Sequence, residues 1–411
     1  MRASAFSFSQ RLALDACTHC GQCLNVCPAV AAAGDAELSA QVRLARLKGL
    51  LRDRNAFFQN LMESFGIVPG HNTPSLQEYG TSVFRCSLCG DCQEICPLGL
   101  PLKDLWLDVR RELAASGHAP AKTKAIRANL EGSHNVFDED NDERADWIDN
   151  MRKAPRNLVR KKADIVYFTG CVGAYFPLAQ KIPMALVQIL TSAKADFTIM
   201  GADEWCCGFP LLGSGQPDAL ASIIAHNVAE VKRREASKVV FTCPSCLQIW
   251  KEVYPRYTDL EGIELVHASE LVAGLVRDRA VEFAAKSPDA EELVVTYHDP
   301  CDLGRGSRVF EEPREILRAL PNVRLVEMAH HGRHSLCCGG GGNLEMIDPA
   351  LSTAMARRKV EEAQATGAST IVTTCQQCVR TMTTYVRRNK LSLEVLDLTQ
   401  LVAKCLAKAT G

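Results

Sequence analysis

Eighteen of the nineteen cysteines in this 411-residue chain fall into three ordered arrays, and no other feature of the sequence restricts its fold as strongly. The first array is a C-x2-C-x2-C-x3-C-P run that occurs twice, at residues 17–28 and 86–97. The second and third arrays, at residues 171–246 and 301–378, each contain one cysteine, an adjacent pair and a C-x2-C motif. Thiolates at this density predict bound soft metal, and iron–sulfur clusters are the first candidates.

Composition places the chain among ordinary globular proteins of two or three domains, with 47% apolar and 23% charged residues. The net charge of −1 gives no general reason to bind nucleic acid. No apolar run approaches the roughly 18 residues that cross a membrane, and the N-terminus does not resemble a secretory signal. We therefore expect a cytoplasmic protein, with any membrane association made through a partner subunit, whose cysteines bind metal rather than form disulfides.

The doubled run is the ligand pattern of bacterial ferredoxins, in which the fourth cysteine of each run binds the cluster of the other run. It predicts two [4Fe–4S] clusters, the first held by Cys17, Cys20, Cys23 and Cys96 and the second by Cys86, Cys89, Cys92 and Cys27. Gly21 and Gly90 follow the second cysteine of each run, where a missing Cβ lets the backbone approach a cluster. Zinc knuckles are the alternative, but four cysteines in eleven residues followed by proline are more specific.

Helical periodicity dominates around these runs. Residues 37–65 show apolar positions at helical spacing, which predicts one long helix or a helix pair, and residues 101–130 predict further helix. We therefore expect a mostly helical, ferredoxin-like domain over residues 1–130. Residues 131–162 change from strongly acidic to strongly basic, which indicates either a solvated linker or a docking strip for a partner subunit.

The rest of the chain contains one unit twice, over residues 163–288 and 289–411. Cys171 and Cys301 are 130 positions apart, and the later cysteines of the two arrays are offset by 131 and 132 positions. Short apolar runs alternate with helical stretches, which predicts an α/β unit with a parallel sheet in each copy. Each cysteine segment follows the carboxyl end of a predicted strand, so three loops should converge on one metal centre per unit.

Adjacent cysteines make each of these centres unlike an ordinary zinc site. Four tetrahedral ligands suffice for zinc, whereas each unit offers five thiolates, two of them consecutive. Glycines follow both pairs, at Gly208 and at Gly339 to Gly342, and should leave backbone amides free to approach a cluster. The pattern therefore indicates something larger than one metal ion.

The motifs CCGFP (206–210), CPSC (243–246), HDPC (298–301) and CCGGGG (337–342) resemble the cysteine-rich "CCG" domain of heterodisulfide reductases. A ferredoxin-like module ahead of two such domains resembles the catalytic iron–sulfur subunit of the membrane-linked heterodisulfide reductase. The arrangement is also similar to the iron–sulfur subunits of glycolate oxidase and anaerobic glycerol-3-phosphate dehydrogenase. The resemblance covers nearly the whole chain.

The resemblance implies a noncubane [4Fe–4S] cluster in each CCG unit, and a catalytic site formed by both. The implied ligands of the first are Cys171, Cys206, Cys207, Cys243 and Cys246, and those of the second are Cys301, Cys337, Cys338, Cys375 and Cys378. Some relatives have lost ligands in one unit, whereas this chain retains all ten. That completeness favours the heterodisulfide reductase type, in which a disulfide binds between the two noncubane clusters.

Two functions follow as hypotheses. In the first, the chain passes electrons through two cubane clusters to a disulfide or dithiol site, supplied by a membrane cytochrome or quinone-linked subunit. In the alternative, it is an electron-transfer subunit of a flavin-dependent glycolate, lactate or glycerol-3-phosphate dehydrogenase that delivers electrons to a quinone-linked partner. No G-x-G-x-x-G motif follows a predicted strand, so we expect no flavin or nicotinamide on this chain, and any flavoprotein is a separate partner.

A few further residues lie near the predicted centres. His298 precedes Cys301 by three positions and is either a proton donor or a turn residue bonded to backbone. His267 and Asp397 occupy equivalent positions, where helix capping is the first interpretation and cluster tuning the second. Arg305 and Arg308 are candidates for binding an anionic substrate. Four further residues complete the set. The loop histidines His330, His331 and His334 are expected to be solvated, and Cys405 is expected to fill apolar space.

Overall fold

The protein is described by a computed structural model that covers residues 6–52, 75–285 and 291–407. It divides into two compact units. The N-terminal unit contains the described residues up to Ile126 together with Pro210–Pro217 and Gly339–Met355. The sheet unit contains Arg127–Phe209, Asp218–Cys338 and the described residues from Ala356 onward. Each segment that follows an adjacent cysteine pair therefore packs with the N-terminal residues.

Helices form the first part of the chain, as the periodicity predicts. They are α1 Phe8–Ala16, α2 Gln22–Asn25, α3 Pro28–Ala33, α4 Ala40–Arg52, α5 Leu76–Phe84, α6 Asp91–Glu94, α7 Leu102–Ala115 and α8 Lys122–Gly132. The helix predicted over 37–65 is present as α4, and its remainder falls outside the described residues. The stretch 101–130 is two helices, α7 and α8, rather than one. Tyr79, Val83 and Val109 are fully buried in the core that these helices share.

Two four-stranded parallel sheets form the sheet unit, with strand orders β2-β1-β3-β4 and β6-β5-β7-β8. The strands are β1 Ile165–Phe168, β2 Phe197–Ile199, β3 Lys238–Phe241, β4 Glu264–His267, β5 Leu293–His298, β6 Val323–Leu325, β7 Thr370–Thr373 and β8 Glu394–Asp397. The repeated order confirms the predicted pair of parallel α/β units. Their central strands are buried because helices cover both faces of a parallel sheet.

The later helices alternate with these strands. They are α9 Cys171–Tyr175, α10 Lys181–Ser192, α11 Phe209–Gly213, α12 Leu220–Arg233, α13 Pro244–Glu252, α14 Ala268–Arg277, α15 Glu311–Ala319, α16 Leu344–Ile347, α17 Pro349–Gln364, α18 Gln376–Arg388 and α19 Leu398–Cys405. Cys405 packs partly buried against the apolar core of the sheet unit, as expected of a space-filling residue. Among the described residues, no helix is both long and apolar enough to cross a membrane.

His267 and Asp397 cap the helices that follow the last strand of each sheet. The His267 ring accepts a hydrogen bond from the Ser269 amide at 3.1 Å, and the Asp397 carboxylate accepts one from the Thr399 amide at 2.9 Å. Both positions form capping boxes. The capping interpretation of these two residues is therefore confirmed.

The charged segment after α8 is not simply a solvated linker. Asn135, Arg144 and Trp147 are buried, the last two within a short 3-10 segment, Asn141–Asn150. Trp147 packs in the apolar core of the sheet unit, and Arg144 pairs with a buried glutamate. The interpretation as exposed surface is wrong for these residues, because charge counting along the sequence does not reveal a distant counter-ion.

Candidate metal centres

Four cysteines gather around one cavity at the start of the chain. Cys17, Cys20, Cys23 and Cys96 line it together with α2 and the loop after Cys96. Cys20 is exposed, and the other three are half-buried. No charged residue is among those that line this cavity. The structure thus brings together the four cysteines predicted to hold the first cluster.

The remaining four cysteines of the doubled run line a second cavity. Cys27 joins Cys86, Cys89 and Cys92 there, so the two runs exchange their fourth cysteines in space. Arg43 and Lys103 also line this cavity. Burial raises the pKa of Cys92 well above its ordinary value, and the neighbouring Trp106 indole N–H acts against that shift. The second set therefore lies among cations and an N–H donor, unlike the first.

The two runs fold alike because each contains two left-handed residues. Gly21 and Gly90 have φ values of 82° and 75°, and each begins a short helix. His19 and Leu88 are also left-handed, with φ values of 55° and 56°. Within this turn the Leu88 amide donates to the Cys86 sulfur at 3.4 Å. Such turns aim backbone N–H groups at ligand sulfurs, which stabilises bound clusters.

Arg110 ties the Cys86 turn to segments from much later in the chain. Its side chain is fully buried in α7, on the same face as Trp106 and Leu113. The guanidinium group donates to five backbone carbonyls, those of Val83, Phe84, Cys86, Gly213 and Gly342. Sequence reasoning missed this residue, although an arginine on an otherwise apolar helix face was a signal.

The glycine run after Cys338 fits closely against the same turn. A Cβ on Gly341 would lie 2.6 Å from the Ser87 carbonyl oxygen, and one on Gly342 would lie 2.6 Å from that of Cys86. No side chain fits at these distances. The glycines are therefore required by contact with the Cys86 turn, a reason that differs from the predicted exposure of their amides to a cluster.

In the first α/β unit the five cysteines form one connected group of thiols. Cys171 hydrogen-bonds with Cys206, and Cys207 hydrogen-bonds with both Cys206 and Cys246. Cys246 bonds in turn with Cys243. All follow the carboxyl ends of β1, β2 and β3, as predicted. A Cβ on Gly170 would lie 3.6 Å from the Cys246 sulfur, so the first loop lies in ordinary contact with this group.

A buried ion pair supports the first cysteine of this group. Arg144 donates to Glu204 Oε1 through both Nε, at 3.0 Å, and Nη2, at 2.7 Å. The same Nη2 lies 3.6 Å from the Cys171 sulfur. Glu204 also accepts hydrogen bonds from the Thr169 and Gly170 amides, at 2.7 and 2.8 Å. The pair thereby fixes the loop that presents Cys171.

The second α/β unit repeats most of this arrangement. The sulfurs of Cys338 and Cys378 lie 3.3 Å apart, and both thiols are buried. Cys338 also hydrogen-bonds with Cys337, and Cys378 with Cys375. Cys301 lies half-buried at the start of Asp302–Gly306, the π-helical segment after β5.

In each adjacent pair, hydrogen bonds from neighbouring thiols lower the pKa of the second cysteine. Hydrogen bonds from Cys206 and Cys246 lower the pKa of Cys207 to about 6. Hydrogen bonds from Cys337 and Cys378 lower the pKa of Cys338 well below its ordinary value. A thiol that accepts two hydrogen bonds is stabilised as thiolate, which is the form that binds metal. Both groups are therefore prepared to bind a soft metal centre.

Residues between the cysteines of one copy contact the other copy. Gln376 follows Cys375, and its Nε2 donates to the Thr169 carbonyl and the Thr242 hydroxyl at 2.7 and 2.6 Å. Its Oε1 accepts from the Gly173 amide at 2.9 Å. In return, the Ser245 hydroxyl donates to Asp302 at 2.6 Å. These bonds hold the two cysteine groups against each other, and sequence reasoning did not predict them.

His298 does not play the part of a turn residue. Its ring is buried, neither ring nitrogen bonds a backbone group among the described residues, and the ring interacts with the Cys338 thiol. One ring nitrogen lies within 4.8 Å of the Cys338 and Cys378 sulfurs. A buried imidazole with no oxygen or nitrogen partner is costly, so this position fits a bound group with sulfur acceptors better than an empty thiol site. The interpretation as a backbone-bonded turn residue is wrong.

The other predicted polar residues have ordinary roles. Arg305 is buried and donates Nη1 to the Arg333 and Ser335 carbonyls, both at 2.9 Å, so that guanidinium group is engaged within the fold. The three loop histidines are exposed, as expected. The anion-binding role of Arg308 stays a prediction.

Comparison with known proteins supports the same division of the chain. The cysteine-rich domain family CCG matches residues 165–249 and 295–383, and the 4Fe-4S dicluster domain family matches residues 13–100. One subunit of the dihydromethanophenazine:CoB–CoM heterodisulfide reductase of Methanosarcina mazei is 33% identical over 98% of this chain and 96% of its own length. The same subunit from Methanosarcina acetivorans is 34% identical, over 97% and 95%. A probable iron-sulfur-binding oxidoreductase of Bacillus subtilis, FadF, is 27% identical over 91% of this chain and 57% of its own length.

Proposed function

Because this chain belongs to the family of these heterodisulfide reductase subunits, which are iron–sulfur oxidoreductase subunits, we propose that it interconverts a disulfide and two thiols. The reaction adds two electrons and two protons to a disulfide to give two thiols, or runs in reverse. Four clusters on this chain, when bound, would supply the electron path between a partner subunit and the reacting sulfurs. Two are cubane [4Fe–4S] clusters in the N-terminal unit, and two are noncubane [4Fe–4S] clusters in the sheet unit.

The completeness of both five-cysteine groups is the observation that carries the proposal. An electron relay needs only fixed clusters, whereas a disulfide needs two reactive centres that face each other. The chain retains all ten cysteines, and the bonds of Gln376 and of Ser245 with Asp302 hold the two groups together. When bound, such clusters supply one-electron steps and irons that accept sulfur ligands.

The chain's own residues supply position and electrostatics. Arg144 and Glu204 fix the Cys171 loop, and hydrogen bonds lower the pKa of Cys207 and of Cys338, which favours the thiolate form of both. In the N-terminal unit, Cys17, Cys20, Cys23 and Cys96 would hold the first cubane, and Cys27, Cys86, Cys89 and Cys92 the second. The exposed Cys20 makes the first cubane the natural point of electron exchange with a partner.

The partner belongs to a redox complex. Relatives are named as subunits of such complexes, and one is an EtfAB:quinone oxidoreductase from Syntrophomonas wolfei, 24% identical over 82% of this chain. We expect a membrane cytochrome, a quinone-linked subunit or a flavoprotein to exchange electrons with the first cubane. Co-purification under anaerobic conditions would identify which class binds.

The function is tested by electron paramagnetic resonance (EPR) of anaerobically purified protein titrated with thiols and disulfides. We expect the spectrum of the duplicated half to respond to substrate while the ferredoxin-type signals persist. Cys207→Ser and Cys338→Ser should each abolish the substrate response only, and Cys405→Ser, outside every array, should leave all signals unchanged. Loss of both classes of signal in either cluster variant, or a response that survives both substitutions, would contradict the proposed division.

A further inference from the structure

Equivalent positions beside the two cysteine groups differ in chemistry. Phe168 ends β1 and pairs in register with Phe241, whereas His298 ends β5 and pairs in register with Thr373. In the first unit, the rings of Phe168 and Phe241 have centroids 5.5 Å apart, and both contact Trp250. The repeat offset replaces these three aromatic residues with His298, Thr373 and Met382. The first cysteine group thus has an aromatic wall where the second has an imidazole.

The polar interaction of the buried His298 ring is with the Cys338 sulfur. The His298 side chain is 1% exposed, and both Nδ1 and Nε2 are without an oxygen or nitrogen partner among the described residues. Leaving a buried polar group unpaired costs about 1–3 kcal/mol, so folded proteins rarely retain one without a function. The nearby sulfurs of Cys338 and Cys378 are weak acceptors as thiols but become strong ones as metal-bound thiolates.

A second exchange concerns a buried polar residue near the cysteine groups. Asn227, which donates to the Cys206 carbonyl at 3.1 Å, is replaced by Lys359 at the equivalent position of the second unit. The Lys359 side chain is fully buried and bonds Glu362 at 2.9 Å. Burial lowers the pKa of Lys359, and attraction to Glu362 and to Cys338 acts against that shift. The second unit therefore places a buried lysine, paired with Glu362, where the first unit has a neutral amide.

We propose that His298 donates an N–H···S hydrogen bond to Cys338 when the cluster is bound, and thereby raises the reduction potential of the cluster in the second unit. This inference rests on the proposed function. A hydrogen bond to a ligand sulfur stabilises the reduced, more negative cluster and raises its reduction potential. Phe168, at the equivalent position of the first unit, cannot donate such a bond.

His298→Phe tests the inference, because it installs the residue that the first unit contains. Anaerobic protein enriched in 57Fe would be titrated potentiometrically and followed by Mössbauer spectroscopy. We expect the potential of one noncubane cluster to shift to a more negative value, while the other three clusters stay unchanged. His298→Gln, which retains a donor, should restore most of the shift. His334→Phe, an exposed histidine in the same unit, is the matched control.

Labelling with 15N-histidine provides a readout on unsubstituted protein if His298→Phe does not fold. Pulsed EPR of the paramagnetic cluster in the second α/β unit should show a weak nitrogen coupling, which His298→Gln should remove. The proposed hydrogen bond would be contradicted by the absence of a nitrogen coupling, or by a coupling as strong as that of iron-bound imidazole. Equal reduction potentials in wild type and His298→Phe would contradict it as well.

Iron content separates this failure from that of the proposed function. Wild-type protein with about sixteen irons per chain but no shift in His298→Phe contradicts only the role of His298. Wild-type protein without clusters in the duplicated half contradicts the proposed function, and the inference falls with it.

Discussion

The guanidinium group of Arg110 donates to the Cys86 carbonyl at 2.5 Å, and no carboxylate among the described residues pairs with it. Burial lowers the pKa of Arg110 to about 10, with Cys86 acting against that shift, so the group stays cationic at neutral pH. A buried cation without a counter-ion is costly unless a bound anion compensates it. A thiolate-ligated cluster held by Cys86 would be that anion.

Arg110→Gln should therefore make the second cubane harder to reduce, because it removes a buried positive charge beside that cluster. It also leaves several backbone carbonyls without donors, and we expect a loss of folding stability on the order of 3–5 kcal/mol. EPR-monitored redox titration measures the potential, and thermal unfolding measures the stability.

Arg110→Lys distinguishes the two effects. Lysine retains the charge but cannot reach five carbonyls at once, so we expect a nearly normal potential with reduced stability. Arg111→Gln is the neighbouring control, since its side chain is 40% exposed and pairs with Asp108. A normal potential in Arg110→Gln would mean that no cluster lies beside Cys86.

Gln376 makes three hydrogen bonds from the second cysteine group to the loops of the first. Gln376→Ala should lower the free energy of unfolding by roughly 3 kcal/mol, at about 1 kcal/mol per bond. It should also loosen the cluster of the first α/β unit, although Gln376 lies beside Cys375 in the second unit. Iron content and Mössbauer spectra of each cluster measure this effect. Gln377→Ala, at the next residue in α18, should leave the cluster of the first α/β unit intact. An equal loss of iron in both variants would exclude a specific coupling of Gln376 to that cluster.

The caps His267 and Asp397 should respond to pH in opposite directions. Burial lowers the pKa of His267 to about 3, so the folded state excludes a proton that the unfolded state binds below about pH 6.5. The stability associated with His267 is then fully present above pH 6.5. It is lost as pH falls toward 3, by at most about 1.4 kcal/mol per pH unit. His267→Asn keeps an acceptor for the Ser269 amide and should remove this dependence.

Asp397 is the counterpart. Burial raises the pKa of Asp397 from 3.8 to about 7, so the folded state holds a proton that the unfolded state releases. Its contribution to stability is present below about pH 4 and is lost as pH rises toward 7. Asp397→Asn should flatten this opposite slope. Both pH dependences are tested by the difference in unfolding midpoint between each variant and wild type, measured anaerobically across pH 4–8. Slopes of the same sign for His267→Asn and Asp397→Asn would contradict the buried environments assigned to these two residues.

Local patterns in the sequence were sufficient for the cysteine groups and for the sheets. Strand runs such as 165–168 end just before a cysteine, so the parallel topology alone brings Cys171, Cys206 and Cys243 to one edge. The caps at His267 and Asp397 also depend on residues only two or three positions away. Features set by near neighbours were therefore predictable.

Long-range partners were not predictable from the sequence. Arg110 bonds carbonyls more than 100 and 200 positions away, and Gln376 bonds one 207 positions away. Arg144 appears in the sequence as one charge within an acidic stretch, and its buried partner Glu204 lies 60 positions later. Nothing in the spacing of these residues indicates such contacts, because backbone carbonyls exist at every position.

The most direct test of the four-cluster assignment is the iron and acid-labile sulfide content of anaerobically purified wild-type protein, compared with a Cys207→Ser/Cys338→Ser double variant. We predict about sixteen irons and as many sulfides per wild-type chain, and a double variant that loses iron only from the duplicated half. A wild-type chain with about eight irons, or with zinc bound to the sheet unit, would contradict the assignment.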